Sequence, residues 1–351
     1  MKTETVLRKA VPPLLRWYEE NGRLLPWREQ VTPYRTWVSE IMLQQTRVAA
    51  VIPYFERFMT ALPTVRDLAS VPDETLMKLW EGLGYYSRAR HLKEAAGILV
   101  RDYGGALPDT YEALRALPGI GDYTAGAVLS IAFHKSVPAV DGNVLRIAAR
   151  LTCLPDNVLS GAVKARVRDA LVCALPEDAG AFNQAMMDLG ATVCLPKKPL
   201  CSLCPLAELC EARKRGAVED FPVREAKNTR RLEKKTVFIL ENDGKVALTR
   251  RADTGLLAGL WEFPNCEGHL TEQEAAAYLA KRGVTVRDWK RGLTARHVFT
   301  HVEWQMQGYE LAVTGEGFPF ADAQAFRARA VPGAFRKFIP LAEAYFAAWE
   351  K

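Results

Sequence analysis

The sequence predicts a multidomain protein, in which an all-α region from residue 1 to about residue 212 precedes a smaller α+β domain over residues 236–351. Two observations support this fold class. Before residue 212, apolar residues recur at spacings of three and four, which is typical of helices with one buried face. After residue 235 they alternate with polar residues, which is typical of strands. A chain of 351 residues is long enough for two or three domains with separate cores.

The helical spacing is clearest in Trp37–Val48 and Leu76–Leu83. Helix starts are predicted at Thr32-Pro33 and at Val71-Pro72-Asp73, because proline or an acidic residue is favoured in a first turn. The following segment, 213–235, holds nine Lys/Arg and four Asp/Glu. This composition predicts a basic interdomain connector, which is either simply solvated or lies along an anion.

Three elements are predicted within the α+β domain. Asp243-Gly244 predicts a β-hairpin turn, because this pair accepts the positive φ angles that such a turn needs. Thr271 and Glu274 have capping-box spacing at the start of the helical stretch TEQEAAAYLAKRG. The stretch RHVFTHVEWQMQGYELAV predicts two further strands.

The overall charge and the apolar runs limit the possible functions. The net charge of +6 is a mild indication of a polyanionic partner. No apolar run approaches the roughly 20 residues of a membrane span, and charges and prolines interrupt the N-terminal stretch, so we expect neither a membrane anchor nor a secretory signal. In a reducing cytoplasm, the seven cysteines are better explained as metal ligands or buried thiols than as disulfides.

Four of these cysteines lie close together in the chain. The stretch CLPKKPLCSLCPLAELC places Cys194, Cys201, Cys204 and Cys210 at the spacing C-x6-C-x2-C-x5-C. Four thiolates so close in sequence can enclose a zinc ion or a cubane iron–sulfur cluster. Zinc ribbons favour two CxxC pairs, and this run has one.

A glycine pair stands in LPGIGDYTAGA, residues 117–127. Gly119 and Gly121 allow a tight turn before a helix that starts near Tyr123. Such a turn leaves backbone N–H groups at a positive helix end, which can bind a phosphate. A simple turn between two helices is the common alternative for a lone Gly-x-Gly.

Two carboxylates are candidates for acid–base chemistry. Glu40 is predicted inside an amphipathic helix, where an isolated glutamate is usually solvated. In a desolvated pocket, however, its pKa would rise and it would stay protonated, as a general acid requires. Asp141 precedes a predicted helix and fits an N-cap, where we expect it to stay ionised. Two carboxylates with different pKa values are what glycosidic bond cleavage uses.

The chain resembles the MutY-type adenine DNA glycosylases of the endonuclease III, or helix-hairpin-helix, superfamily. The resemblance extends over LPWREQVTPYRTWVSEIMLQQT, WEGLGYYSRARHL, LPGIGDYTAGAVLSIAF, AVDGNVLRI, FNQAMMDLGATVC and the cysteine run. It implies a six-helix barrel module over about 24–130, a cluster module formed by 1–23 and 131–212, and one [4Fe–4S] cluster on the four cysteines. The phosphate at the hairpin would then belong to DNA.

The resemblance also implies a substrate and a mechanism. The substrate would be double-stranded DNA with adenine opposite 8-oxoguanine or G, and the adenosine would be flipped out of the stack. Glu40 would protonate N7 of adenine, Asp141 would stabilise the oxocarbenium-like sugar or bond to it briefly, and Asn143 would orient the site. Tyr123 matches a position where endonuclease III-like enzymes carry a lysine. Because a phenol cannot form a Schiff base, we expect base release without strand cleavage.

Further positions are assigned by the same match. Leu25, Trp27, Arg28 and Gln184 would line the adenine pocket. Gln45, Leu83 and Tyr85 would enter the base stack. Gly119, Ile120 and Gly121 would contact the phosphate, and a monovalent cation could bind at this hairpin.

The second domain resembles a Nudix domain that reads 8-oxoguanine. A hydrolytic Nudix domain carries an Arg-Glu-x-x-Glu-Glu core, which the helix TEQEAAAYLAKRG lacks. We therefore expect binding without hydrolysis. Phe299, Thr300 and His301 match the loop that contacts 8-oxoguanine.

Three alternatives remain at this stage. They are an endonuclease III-type glycosylase/lyase for oxidised pyrimidines, a nucleotide-pool pyrophosphatase, and a non-catalytic mispair-binding protein. Tyr123 argues against the first and the missing carboxylates against the second. We expect a monomer that works in the bacterial cytoplasm at the nucleoid, with no membrane partner.

Overall fold

The computed structural model describes residues 3–225 and 230–350. They fall into two compact units: Met1–Val71 with Arg90–Ala226, and Pro72–Ala89 with Lys227–Lys351. The α-helices are α1 (Thr3–Asn21), α2 (Pro26–Glu29), α3 (Pro33–Leu43), α4 (Val48–Ala61), α5 (Val65–Ser70), α6 (Asp73–Trp80), α7 (Ser87–Asp102), α8 (Tyr111–Arg115), α9 (Asp122–Ala132), α10 (Gly142–Thr152), α11 (Gly161–Val172), α12 (Ala179–Thr192), α13 (Glu211–Lys214), α14 (Glu272–Ala280), α15 (Ala323–Ala328) and α16 (Ile339–Trp349).

The first unit is helical, as predicted, and its helices begin where the sequence signals stand. The Thr32 hydroxyl accepts a hydrogen bond from the Arg35 N–H, and Pro33 occupies the first turn of α3. The predicted helical run to Val48 is wrong at its end, because α3 stops at Leu43 and a turn precedes α4. Helix α3 packs on α9, and α12 packs on α1, α9 and α10.

The second unit contains a mixed sheet, which confirms the α+β prediction. Its strands are β1 (Arg231–Asn242), β2 (Lys245–Ala247), β3 (Thr249–Arg250), β4 (Trp261–Glu262), β5 (Asn265–Glu267), β6 (Thr285–Val298), β7 (Val302–Thr314) and β8 (Phe320–Ala321). The main sheet has the order β6-β7-β1-β2-β8, with β5 also paired to β1, while β3 and β4 form a separate pair. Strands β1 and β7 are parallel, and the neighbours β6–β7 and β1–β2 are antiparallel.

Hydrophobic clusters cover both faces of this sheet. Phe335, Phe338 and Phe346 belong to one cluster, and Leu279 and Tyr309 to the other. The predicted hairpin at Asp243-Gly244 and the capping box of α14 are both present. Strand β1 starts at Arg231, so the end of the predicted connector is strand, and its residues 226–229 lie outside the described residues.

In the part of the chain that the structure describes, no helix is both long and apolar enough to cross a membrane.

Candidate active site

A cavity of about 410 Å³ lies beside α3 in the first unit. The predicted site residues that line it are Leu25, Trp27, Arg28, Glu40 and Gln184.

Glu40 is buried in the wall of this cavity, with 4% of its surface exposed. Burial raises its pKa to about 7, and the nearby Asp141 carboxylate acts in the same direction. The Tyr123 hydroxyl donates a hydrogen bond of 2.5 Å to Oε2 of Glu40, which opposes this rise, as does the Arg28 guanidinium. The predicted desolvated glutamate is therefore present.

Asp141 is the N-cap of α10, as the sequence predicts. Its Oδ1 accepts hydrogen bonds from the N–H groups of Asn143 and Val144, both at 2.8 Å, and its Oδ2 accepts one of 2.7 Å from the Asn143 amide. Burial raises the pKa of Asp141 above its usual value. The three hydrogen bonds favour the carboxylate and limit that rise.

Asp141, Asn143 and Tyr123 are not among the described residues that line the cavity. Asp141 nevertheless acts electrostatically on the cavity residue Glu40, because its charge raises the pKa of both Glu40 and Tyr123. The Tyr123 hydroxyl oxygen also lies 3.2 Å from the sulfur of Met187, a cavity residue.

Asp188 is a site residue that the sequence analysis missed. Its fully buried carboxylate accepts two hydrogen bonds from the Arg28 guanidinium, at 2.8 and 2.9 Å, and three from Arg23, at 2.6 to 3.0 Å. Both arginines line the cavity. The sequence offers no local signal for this contact, because Asp188 lies 160 positions from Arg28.

A chain of hydrogen bonds connects Asp141 to the cysteine run. The Arg146 guanidinium donates to Oδ1 of Asn143 at 2.8 Å and to the backbone oxygen of Cys194 at 2.8 Å. Arg150, one turn later in α10, donates to the Cys194 sulfur at 3.3 Å. Both arginines are buried.

Cys194, Cys201, Cys204 and Cys210 line a second cavity, of about 290 Å³. Among the residues that the structure describes, no three potential ligands converge closely enough to hold a single ion. Together the four thiols form a cysteine ring around this second cavity.

The electrostatics of this ring agree with an iron–sulfur site. Burial, together with the other three thiols, raises the pKa of Cys204 to about 11. Four thiolates are stable there only beside compensating cations, which cluster iron supplies.

The glycine pair forms the predicted turn. Gly119 has a φ of 77°, and a Cβ there would lie 2.8 Å from the Cβ of His91. Gly121 is the N-cap of α9, and a glycine gives the first-turn N–H groups no side-chain acceptor. The Ile120 carbonyl already accepts a hydrogen bond of 2.7 Å from Arg115. A cation at the hairpin stays a prediction.

The predicted DNA wedge residues differ in exposure. Gln45 is exposed in the turn after α3, with a φ of 59°. In the second unit, Tyr85 is 45% exposed with a φ of 48°, whereas Leu83 is buried. The Tyr85 hydroxyl lies 3.2 Å from the Thr300 hydroxyl, so the second unit brings two predicted DNA contacts together.

The predicted recognition loop lies between β6 and β7. Thr300 and His301 are exposed, and Phe299 packs edge-on against Trp304 with ring centroids 4.9 Å apart. In α14, the Glu274 carboxylate is used by the capping box with Thr271.

Comparison with known proteins agrees with this arrangement. Residues 38–171 match the HhH-GPD superfamily of base excision DNA repair proteins, residues 194–210 match the iron-sulfur binding domain of endonuclease III, and residues 236–341 match the NUDIX domain. Among solved structures, a thermostable thymine-DNA glycosylase superposes with a TM-score of 0.56 and 29% identity, covering 61% of this chain and 100% of its own. A trapped endonuclease III–DNA covalent intermediate superposes at 0.53 and 26%, covering 62% and 99%.

Fold, cysteine ring and hairpin define a helix-hairpin-helix enzyme of base excision DNA repair that binds DNA and holds one [4Fe–4S] cluster, whose binding motif spans residues 194–210. Adenine DNA glycosylase from Rattus norvegicus is 36% identical over 92% of this chain and 76% of its own length, and the one from Homo sapiens is 37% identical over 86% and 67%. The chain belongs to the adenine DNA glycosylase family.

Proposed function

We propose that this glycosylase removes adenine paired with 8-oxoguanine or G in duplex DNA and leaves an intact strand with an abasic site. The observation that carries the proposal is the buried Glu40, whose pKa of about 7 keeps a large fraction protonated at neutral pH. A protonated acid in the wall of a cavity is what departure of a purine base requires.

Each oxygen of Glu40 has a separate part in this mechanism. Oε2 accepts the Tyr123 hydrogen bond, which leaves Oε1 to carry the transferable proton towards N7 of the base. As the N-glycosidic bond breaks, positive charge develops on the sugar, and the Asp141 carboxylate stabilises it. Water then attacks the sugar carbon, so the strand stays uncut.

The lyase alternative lacks a nucleophile. Tyr123 stands where a lysine would attack the sugar, its phenol is engaged with Glu40, and no lysine is among the described residues that line the cavity. Burial and the Glu40 charge raise the pKa of Tyr123 well above its usual range, which keeps the phenol protonated.

Lesion recognition is assigned to the second unit. The recognition loop Phe299, Thr300 and His301 is presented between two strands, and Thr300 contacts the wedge residue Tyr85. We propose that this loop contacts 8-oxoguanine, that the protein acts as a monomer, and that it works at the nucleoid in the bacterial cytoplasm.

The test uses a duplex with adenine opposite 8-oxoguanine, incubated with the purified holoenzyme. Strand breaks at the adenine position only after hot alkali are expected, together with free adenine. Breaks without alkali would indicate a lyase, and an absence of adenine release would refute the proposal. The Glu40→Gln variant should bind the duplex and release nothing. If this variant binds the duplex and still releases adenine, Glu40 is not the acid.

A further inference from the structure

The turn that carries Tyr85 rests on a buried arginine. Arg88, in the first turn of α7, is 7% exposed. Its Nη2 donates to the backbone oxygens of Leu83 and Gly84 at 3.2 and 3.0 Å, and its Nε donates to that of Tyr85 at 3.4 Å. One guanidinium thus holds three successive carbonyls of the turn.

The same guanidinium also contacts two aromatic rings. Its central carbon lies 5.3 Å from the centre of the Trp80 ring and 5.5 Å from that of Tyr85. Trp80 is buried and donates its indole N–H to the Gly84 carbonyl at 3.1 Å. The side chain of Tyr85 is therefore held on one face by Arg88, while its hydroxyl reaches Thr300.

Burial of this cation is unfavourable, and desolvation lowers the pKa of Arg88 to about 10. Lysine could not replace it, because an ammonium group lacks the planar fork that serves adjacent carbonyls and stacks on rings.

We propose that Arg88 is a positioning residue for lesion selectivity: it fixes the Tyr85 side chain in register with Thr300, so that the base-stack wedge and the 8-oxoguanine contact act as one pre-organised unit. This inference rests on the proposed function, because it assumes that both residues contact DNA. Its basis is the set of contacts from Arg88 to the turn and rings, all within the second unit.

The test compares Arg88→Lys and Arg88→Gln with wild type in single-turnover adenine release from duplexes with 8-oxoguanine or G opposite adenine. Arg101→Lys is the matched control, because Arg101 is exposed near the end of the same helix. The ratio of the two rates should fall by at least about threefold in both Arg88 variants and stay unchanged in the control. The neutral glutamine removes the buried charge, so it provides a second variant if lysine prevents folding.

A double-mutant cycle with Tyr85→Leu separates positioning from general stability. If Arg88 acts through Tyr85, adding Arg88→Gln to Tyr85→Leu should lower the ratio little further. An unchanged ratio in both Arg88 variants, an equal rate loss on both duplexes, or additive effects would overturn the inference. Failure of wild type to release adenine would instead refute the proposed function.

Discussion

Glu40 shows how strongly burial can raise the pKa of a carboxyl group. Its usual pKa is 4.5, and in the folded protein it is about 7. A carboxyl whose pKa is raised by folding contributes stability that is fully present below its unfolded pKa and lost as the pH rises through its folded pKa. The shift corresponds to a loss on the order of 3 kcal/mol between about pH 4.5 and pH 7.

We therefore predict that Glu40→Gln raises thermal stability relative to wild type at pH 8 and does so less at pH 5. Glutamine keeps the size of the side chain but cannot ionise, so it avoids the unfavourable buried charge. Melting temperatures of both proteins across this pH range test the prediction. If the difference in melting temperature between the two proteins does not change with pH, folding does not raise the pKa of Glu40.

Asp188 partly neutralises the positive charge of Arg28 that acts on Glu40. Its carboxylate pairs with Arg28, and the Arg28 guanidinium lowers the pKa of Glu40. Asp188→Asn should leave Arg28 without its charged partner and lower the pKa of Glu40 further. We predict that adenine release then begins to decline at a lower pH than in wild type.

The matched control for this variant is Asp102→Asn, which removes a carboxylate from an exposed ion pair with Arg101. Its pH profile should coincide with that of wild type. If Asp188→Asn loses activity equally at every pH, Asp188 is a structural residue and not an electrostatic one.

The hairpin before α9 allows the two roles of a glycine to be separated. A Cβ at Gly119 would meet His91 and the φ of 77° would be strained, whereas a Cβ at Gly121 would point into open space. Gly119→Ala should therefore lower the melting temperature. Gly121→Ala should leave it unchanged and yet weaken duplex binding, because a DNA phosphate would occupy that space.

Fluorescence anisotropy with a labelled duplex, at two salt concentrations, measures this effect on binding. Unchanged affinity in the Gly121→Ala variant would mean that no phosphate lies against the hairpin.

At the level of elements, much of this could be predicted from local sequence signals. Thr32-Pro33, Asp243-Gly244 and the capping box of Thr271 each specify a turn or cap through neighbouring residues, and all three are present. Helix α3 ends at Leu43, although the helical spacing of apolar residues continues to Val48. The spacing of apolar residues alone does not predict where a turn interrupts a helix.

The contacts that complete the site could not be predicted in this way. Asp188 and Arg146 act on residues or loops more than 40 positions away, and such pairs depend on how whole helices pack. The same limit applies to Pro72–Ala89, which belongs to the compact unit of the C-terminal region although its helical pattern matches the first region.

At the scale of the whole molecule, the proposed function places the chemistry in the first unit and the choice of opposite base in the second. Thr300→Val removes a hydroxyl and keeps the shape of the side chain. We predict that it reduces the preference for 8-oxoguanine over G opposite adenine and leaves the pH dependence of adenine release unchanged.

Thr294→Val, on an exposed position of β6, is the control. Single-turnover rates on the two duplexes measure the preference. If the Thr300→Val variant keeps the full preference for 8-oxoguanine over G, Thr300 takes no part in lesion recognition.

The most direct test of the central claim, that burial keeps Glu40 protonated as the acid, is the single-turnover rate of adenine release as a function of pH. The protonated fraction of Glu40 falls as the pH passes through about 7. The rate should therefore be nearly constant below that pH and fall about tenfold for each further pH unit well above it. A rate that stays constant from pH 6 to pH 9 would contradict the account.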